Sequence, residues 1–146
     1  MAKPAATYQE LHIQSDLSEL ADVRTFVVSQ AEEFGFSEDV VFQISLAVDE
    51  ACSNLIRHAY KLDASNRITV RIATKESQFI VSIFDAAISF DPTQLKSPDM
   101  NDYFSKFRHG GLGVHIIKRV MDDIKYIPAN TKHPLNELRL TKRLVA

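Results

Sequence analysis

The stretch from Val40 to Leu55 is mostly apolar, and Ile44, Ala47, Ala51 and Leu55 recur at the spacing of one helix face. A stripe of that kind needs a core to lie against. The second half of the pattern, LAVDEACSNLIRHAY from Leu46 to Tyr60, sets polar groups beside it. Glu50 and Asn54 stand one helical turn apart and so share a face. They are either the helix's solvent edge or a site. A carboxylate can take a proton from a nucleophile, and an amide oxygen can ligate a hard cation such as Mg²⁺.

Two further segments bear on that choice. In FIVSIFDAAISFDP, Phe79 to Pro92, the residues Phe79, Val81 and Ile83 face one side of a strand, with Ile80 and Phe84 on the other. Apolar residues on both sides predict a central strand buried on both faces. Asp85 ends it, as an ordinary turn aspartate or as an acceptor for a ligand's amino group. In HGGLGVHIIKRV, His109 to Val120, three of the four glycines immediately precede the helical pattern of Val114, Ile117 and Val120. Glycines there make a tight turn, or let backbone N–H groups approach phosphates at a helix N-terminus. The segment is not a P-loop, because no Gly-Lys-Ser/Thr follows. Nor is it a dinucleotide fingerprint: Gly111-x-Gly113-x-x-Ile116 lacks the third glycine.

The remaining pattern predicts an α/β sandwich. Tyr8 to Ile13 alternates as an edge strand. Asp16 with Glu19 reads as a capping box opening a helix to about Phe34, ended by Gly35. Ser37 then caps the Glu50 helix, with Glu38 and Asp39 in its first turn. Arg67 to Thr74 and Phe79 to Phe84 form a hairpin around Lys75-Glu76-Ser77. Pro92 to Arg108 has no period, and a loop that long in a compact domain is usually functional or disordered. A last helix from about Gly113 to Met121 precedes strands near Ile124 to Ile127 and Glu137 to Thr141.

In this order the three segments resemble the GHKL (Bergerat-fold) ATPase superfamily, and more narrowly its anti-sigma factor and serine-protein kinase branch, the RsbW-like proteins. LAVDEACSNLIRHAY matches the N box, GGLGVHIIKRVMDDIKY the G2 box and following helix, and Asn136 to Leu144 the closing strand. The resemblance implies one ATPase domain over residues 1–146. Its fold would be a two-layer α/β (α+β) sandwich, with a mixed, mostly antiparallel sheet covered on one face by about three helices. Glu50 takes the place of the general base, Asn54 of the Mg²⁺ ligand, and Asp85 of the aspartate that accepts from the adenine amino group of ATP. Ala87 falls in the adenine loop, and Gly111, Leu112 and Gly113 fall where backbone approaches the triphosphate. The ATP lid would span about 92–112; Lys106 and Arg108 lie in it as phosphate contacts that no motif assigns. His58 follows Asn54 as a supporting or a structural histidine. The implied partners are a sigma factor, a STAS-type anti-anti-sigma protein whose serine is phosphorylated, and a second copy of the chain.

The chain departs from the family at its G1 box, where Ala87 and Ser89 occupy glycine positions while Phe90-Asp91-Pro92 is kept. Glycine serves there for positive φ or for close approach to the base. A non-catalytic, partner-binding module with weakened or lost nucleotide binding is therefore the competing expectation. A free-standing histidine-kinase-type ATPase fits less well, for no helix with a phosphorylatable histidine precedes the fold. A net charge of −2 with no long basic run gives no electrostatic case for nucleic acid. Cys52 sits inside a helical pattern as a small hydrophobe, and the five histidines lack zinc-ligand spacing. No apolar run reaches membrane-spanning length and no signal-peptide core is visible, so the cytoplasm is the expected compartment.

Overall fold

The computed structural model describes residues 7–87 and 112–145. Its five strands are β1 (Tyr8–Gln14), β2 (Arg67–Lys75), β3 (Gln78–Asp85), β4 (Asp123–Ile127) and β5 (Asn136–Arg143). They lie in the order β1-β2-β3-β5-β4, and all four pairings are antiparallel. Period-two alternation turns Ile13, Ile68, Val70, Ile72, Phe79, Val81, Ile83, Leu138 and Leu140 to one face, where all are buried. Register stacks them in rows: Ile83 lies opposite Val70 on one side and Leu138 on the other, and Val81 opposite Ile72 and Leu140.

Three helices cover that face: α1 (Leu20–Phe34), α2 (Glu38–Asn54) and α3 (Leu112–Val120). Helix α1 presents Leu20, Val23, Val27 and Ala31, and α3 presents Ile117 and Val120. Helix α2 packs between the other two. It buries Val41, Ile44, Ala47, Val48, Ala51 and Cys52, more than one stripe, because it meets helices on its flanks as well as the sheet beneath. The buried side chains of both layers form one continuous cluster. No helix among the described residues is long and apolar enough to cross a membrane.

The helix ends follow local chemistry. The Asp16 carboxylate accepts from the Ser18 N–H at 2.9 Å and opens a short 3-10 turn, Leu17–Glu19, ahead of α1. Glu19 does not close the predicted capping box: its carboxylate accepts from the N–H of Gln14, across the corner where β1 ends. Gly35, at φ 111°, ends α1 with its own N–H on Glu32 and the Phe36 N–H on Ala31. That reversal stacks Phe34 and Phe36 on Phe79, with ring centroids 5.4 to 5.6 Å apart, and fastens the end of α1 to β3. Ser37 accepts from the Val40 N–H and caps α2 as predicted. Beyond Asn54 the α-helix widens into a single π turn, Leu55–Ala59, closed by the Tyr60 N–H on the Leu55 carbonyl.

The prediction that β3 is buried on both faces is corrected. Among the described residues helices cover only one face, and on the other Ile80 and Phe84 are half-buried. Phe84 owes its place to Arg71, whose guanidinium lies 4.8 Å from the Phe84 ring centroid and 4.3 Å from that of Tyr8. Phe90-Asp91-Pro92 and all but the last residue of the expected lid, including Lys106, Arg108 and Gly111, lie outside the described residues, as does Ser89.

Candidate functional site

The alternation that buries Phe79, Val81 and Ile83 carries Asp85 to the same face, so a carboxylate reaches the interior at the end of β3 and is 4% exposed. Burial pushes its pKa up to about 6, against the opposing pull of two N–H donors. Those donors are the Asn136 amide at 3.1 Å and the Ala87 backbone at 2.9 Å, and both end on Oδ1. Asn136 sits directly across the β3–β5 ladder from Asp85. Its amide nitrogen also donates to the Ala87 carbonyl at 2.8 Å, while its oxygen accepts from the Ala129 N–H at 2.8 Å. From the other side the Tyr60 hydroxyl accepts from the Ala86 N–H at 2.8 Å. Burial and the neighbouring Asp85 raise the Tyr60 phenol, which keeps it neutral.

Ala87 has an ordinary backbone. Apart from Gly35, the described residues with positive φ are Lys61, Leu62 and Glu76. Alanine at this glycine position therefore carries no left-handed strain.

Glu50 and Asn54 lie on the second half of α2. Glu50 is half-buried, and its carboxyl is raised mainly by burial, then by Asp49 beside it, with Arg57 opposing. Asp49 itself pairs with Arg24 on α1 at 2.7 Å. A raised carboxylate binds a proton more readily, which suits a base. Asn54 is 2% exposed, and its amide nitrogen has no hydrogen-bond partner among the described residues. Leaving such a group unmade costs about 1–3 kcal/mol, so a buried orphan of this kind points to a missing partner. Among the described residues no three His, Cys, Asp or Glu side chains cluster to hold a metal. The orphaned atom is a donor, so it calls for an oxygen acceptor such as water or a phosphate; a metal would be held instead by the amide oxygen of the same side chain.

No hydrogen bond joins Glu50 or Asn54 to Asp85 among the described residues; the π turn and Tyr60 bridge the two groups instead. Leu112 and Gly113 form the start of α3. His58 lies half-buried in the π turn. Cys52 is buried, its thiol pushed up to about 12, and is inert packing as the sequence suggested.

A sequence model of the histidine kinase-like ATPase domain family matches residues 13–142, from β1 into β5. The chain belongs to the histidine kinase-like ATPase family. Its relatives include proteins named serine-protein kinase RsbW. That of Bacillus cereus (strain G9842) is 32% identical over 120 residues, covering 80% of this chain and 74% of the relative. That of Bacillus subtilis (strain 168) is 28% identical over 128 residues, covering 84% and 79%. The RsbW-like resemblance drawn from the motifs thus stands.

In this ATPase domain the motif residues missed two neighbours. Tyr60 closes the N-box stretch but carried no recognisable role, because its partner Ala86 lies on a different element. Asn136 had one faint signal: asparagine is disfavoured in strands, yet here it opens one. Its meaning depends on the β3–β5 register, which joins residues separated by 51 positions.

Proposed function

We propose that this ATPase domain is a protein serine kinase that uses ATP with Mg²⁺ and also acts by holding its partners. The observation that carries the reading is the buried Asp85 carboxylate, fixed through Oδ1 with Oδ2 outside both bonds, in a chain 32% identical to a serine-protein kinase. Oδ2 accepts from the adenine amino group. The backbone at Leu112 and Gly113, where α3 starts, would lie along the phosphates, where the helix dipole favours negative charge. Asn54 would hold the metal through its amide oxygen. When bound there, Mg²⁺ would supply positive charge against the charge that develops during phosphoryl transfer.

Glu50 orients the serine hydroxyl of the protein substrate and takes its proton. The serine oxygen then bonds to the γ-phosphorus as the bond to the β–γ bridging oxygen breaks, and ADP leaves. By family resemblance the substrate is a STAS-type anti-anti-sigma protein, the second client a sigma factor, and the working form a cytoplasmic homodimer. About two added negative charges at an interface weaken it, so phosphorylation releases the STAS partner.

The test is to incubate the protein with Mg-ATP and a STAS partner and to read phosphoserine by mass spectrometry. Phosphate transfer that disappears in Glu50→Ala supports the kinase. A stable complex without transfer favours the second reading, a partner-binding module without catalysis. That reading is motivated by Ala87 and Ser89 in the G1 box. The unstrained backbone at Ala87 weighs against it.

A further inference from the structure

Asn136 uses every hydrogen-bonding atom of its amide at the end of β3. It donates to Asp85 Oδ1 and to the Ala87 carbonyl, and it accepts from the Ala129 N–H. The position calls for two donors and one acceptor on a short, uncharged side chain. Asparagine meets that requirement; threonine has one donor, and aspartate has none and would oppose Asp85 with like charge. At 6% exposure Asn136 is itself nearly closed off, so its influence on a ligand passes through the groups it holds.

We propose that Asn136 is a positioning residue that sets purine selectivity: by holding Oδ1 of Asp85 and the Ala87 carbonyl, it presents Oδ2 to a 6-aminopurine and turns away a 6-oxopurine. This rests on the ATP reading above. The Ala87 N–H and the Asn136 amide converge on one oxygen, which fixes the plane of the carboxylate and directs its second oxygen. An exocyclic amino group donates to that oxygen. A carbonyl at the same ring position brings lone pairs against lone pairs, and the N1–H beside it reaches that oxygen only if the ring shifts, so a 6-oxopurine binds more weakly at a site built to receive a hydrogen bond from position 6. Asn136 also ties the start of the G1 loop to Ala129 in the β4–β5 connection, so the carboxylate and the loop beside it are held by one side chain.

The experiment titrates the full chain in Mg²⁺ with ATP and with inosine triphosphate, which carries oxygen in place of the amino group. Wild type is compared with Asn136→Ala and with Asn136→Leu, which keeps the volume and removes both donors without adding charge. Circular dichroism checks the fold, and the leucine variant carries the test if the alanine variant does not fold. Wild type should prefer ATP by about 10- to 100-fold, the worth of one hydrogen bond to a charged group. Each variant should lose most of that preference by weakening for ATP alone, with inosine triphosphate unchanged. Equal weakening for both nucleotides would mean a merely structural role, and a folded variant that kept the preference would likewise overturn the inference. Wild type binding both nucleotides equally would end the inference while leaving the ATP reading intact. Wild type binding neither would end both.

Discussion

The Tyr60 hydroxyl accepts the Ala86 N–H at 2.8 Å, and through this bond the end of α2 is joined to the loop after Asp85. The π turn is what brings Tyr60 there. Closing on the Leu55 carbonyl, it changes the helical phase immediately after Asn54. The segment bearing Glu50 and Asn54 and the segment bearing Asp85 thereby share a mechanical link.

Removing that link has a defined cost. Tyr60→Phe leaves the ring packed and frees the N–H of Ala86, an exposed residue that water can reach, so stability should fall by about 0.5–1 kcal/mol. Urea denaturation reads the loss, and ATP affinity should fall with it as the loop loosens. Unchanged stability and unchanged affinity together would show that the bond positions nothing.

Asp85 should trade stability for binding. Its carboxyl stands at about 6 in the folded protein against 3.8 unfolded. Between those values the folded state holds a proton that the unfolded chain has lost. Stability is therefore greatest below the unfolded value and falls as pH rises through about 6. The ionised group costs the free protein on the order of 3 kcal/mol above that range. Asp85→Asn should accordingly be more stable than wild type by about 1–3 kcal/mol near neutrality, with the gain fading toward pH 4, yet should not bind ATP. Denaturation curves across that pH range, paired with calorimetric titration, test both halves. A variant less stable at every pH would contradict the first.

For Glu50 the expected result is a separation of binding from chemistry. Glu50→Gln keeps the size of the side chain and removes the base, so ATP affinity should hold while phosphoryl transfer to a STAS partner falls by about 10²- to 10⁴-fold. Single-turnover assays at saturating ATP distinguish this from a loss of nucleotide. Retained transfer would remove Glu50 from the mechanism.

The β2–β3 hairpin offers a test away from the site. Glu76 occupies its two-residue turn at φ 55°, where a side chain costs about 1–2 kcal/mol of backbone strain. Glu76→Gly should raise stability by roughly 1 kcal/mol, because part of the relief is offset by the greater freedom of glycine in the unfolded chain. A thermal melt showing no gain would mean that the turn is not strained as its geometry implies.

Local periodicity carried much of the fold. The Ile44–Ala47–Ala51–Leu55 stripe, the Ser37 cap, Gly35 as a helix stop and the hairpin around Glu76 each depend on residues a few positions apart, and each lies where the sequence placed it. Family motifs added Glu50, Asn54 and Asp85. What stayed hidden depends on distance along the chain. Arg71 shields Phe84 by reaching across neighbouring strands, so the apolar side chain looked like a second buried face. Asn136 and Tyr60 meet the Asp85 loop only after strands pair and a helix widens, and no pattern within either segment announces that.

The β3–β5 pairing also governs when the site comes into being. β5 is made last of the five strands, yet it inserts between β3 and β4, and the Asp85–Asn136 contact spans 51 residues. Such long-range closure comes late in folding. A chain still emerging from the ribosome, with β1 to β4 made, has Asp85 but no Asn136 to hold it. On the proposed role of Asp85, nucleotide recognition would be reserved for finished molecules, and ATP would favour those that have closed their sheet.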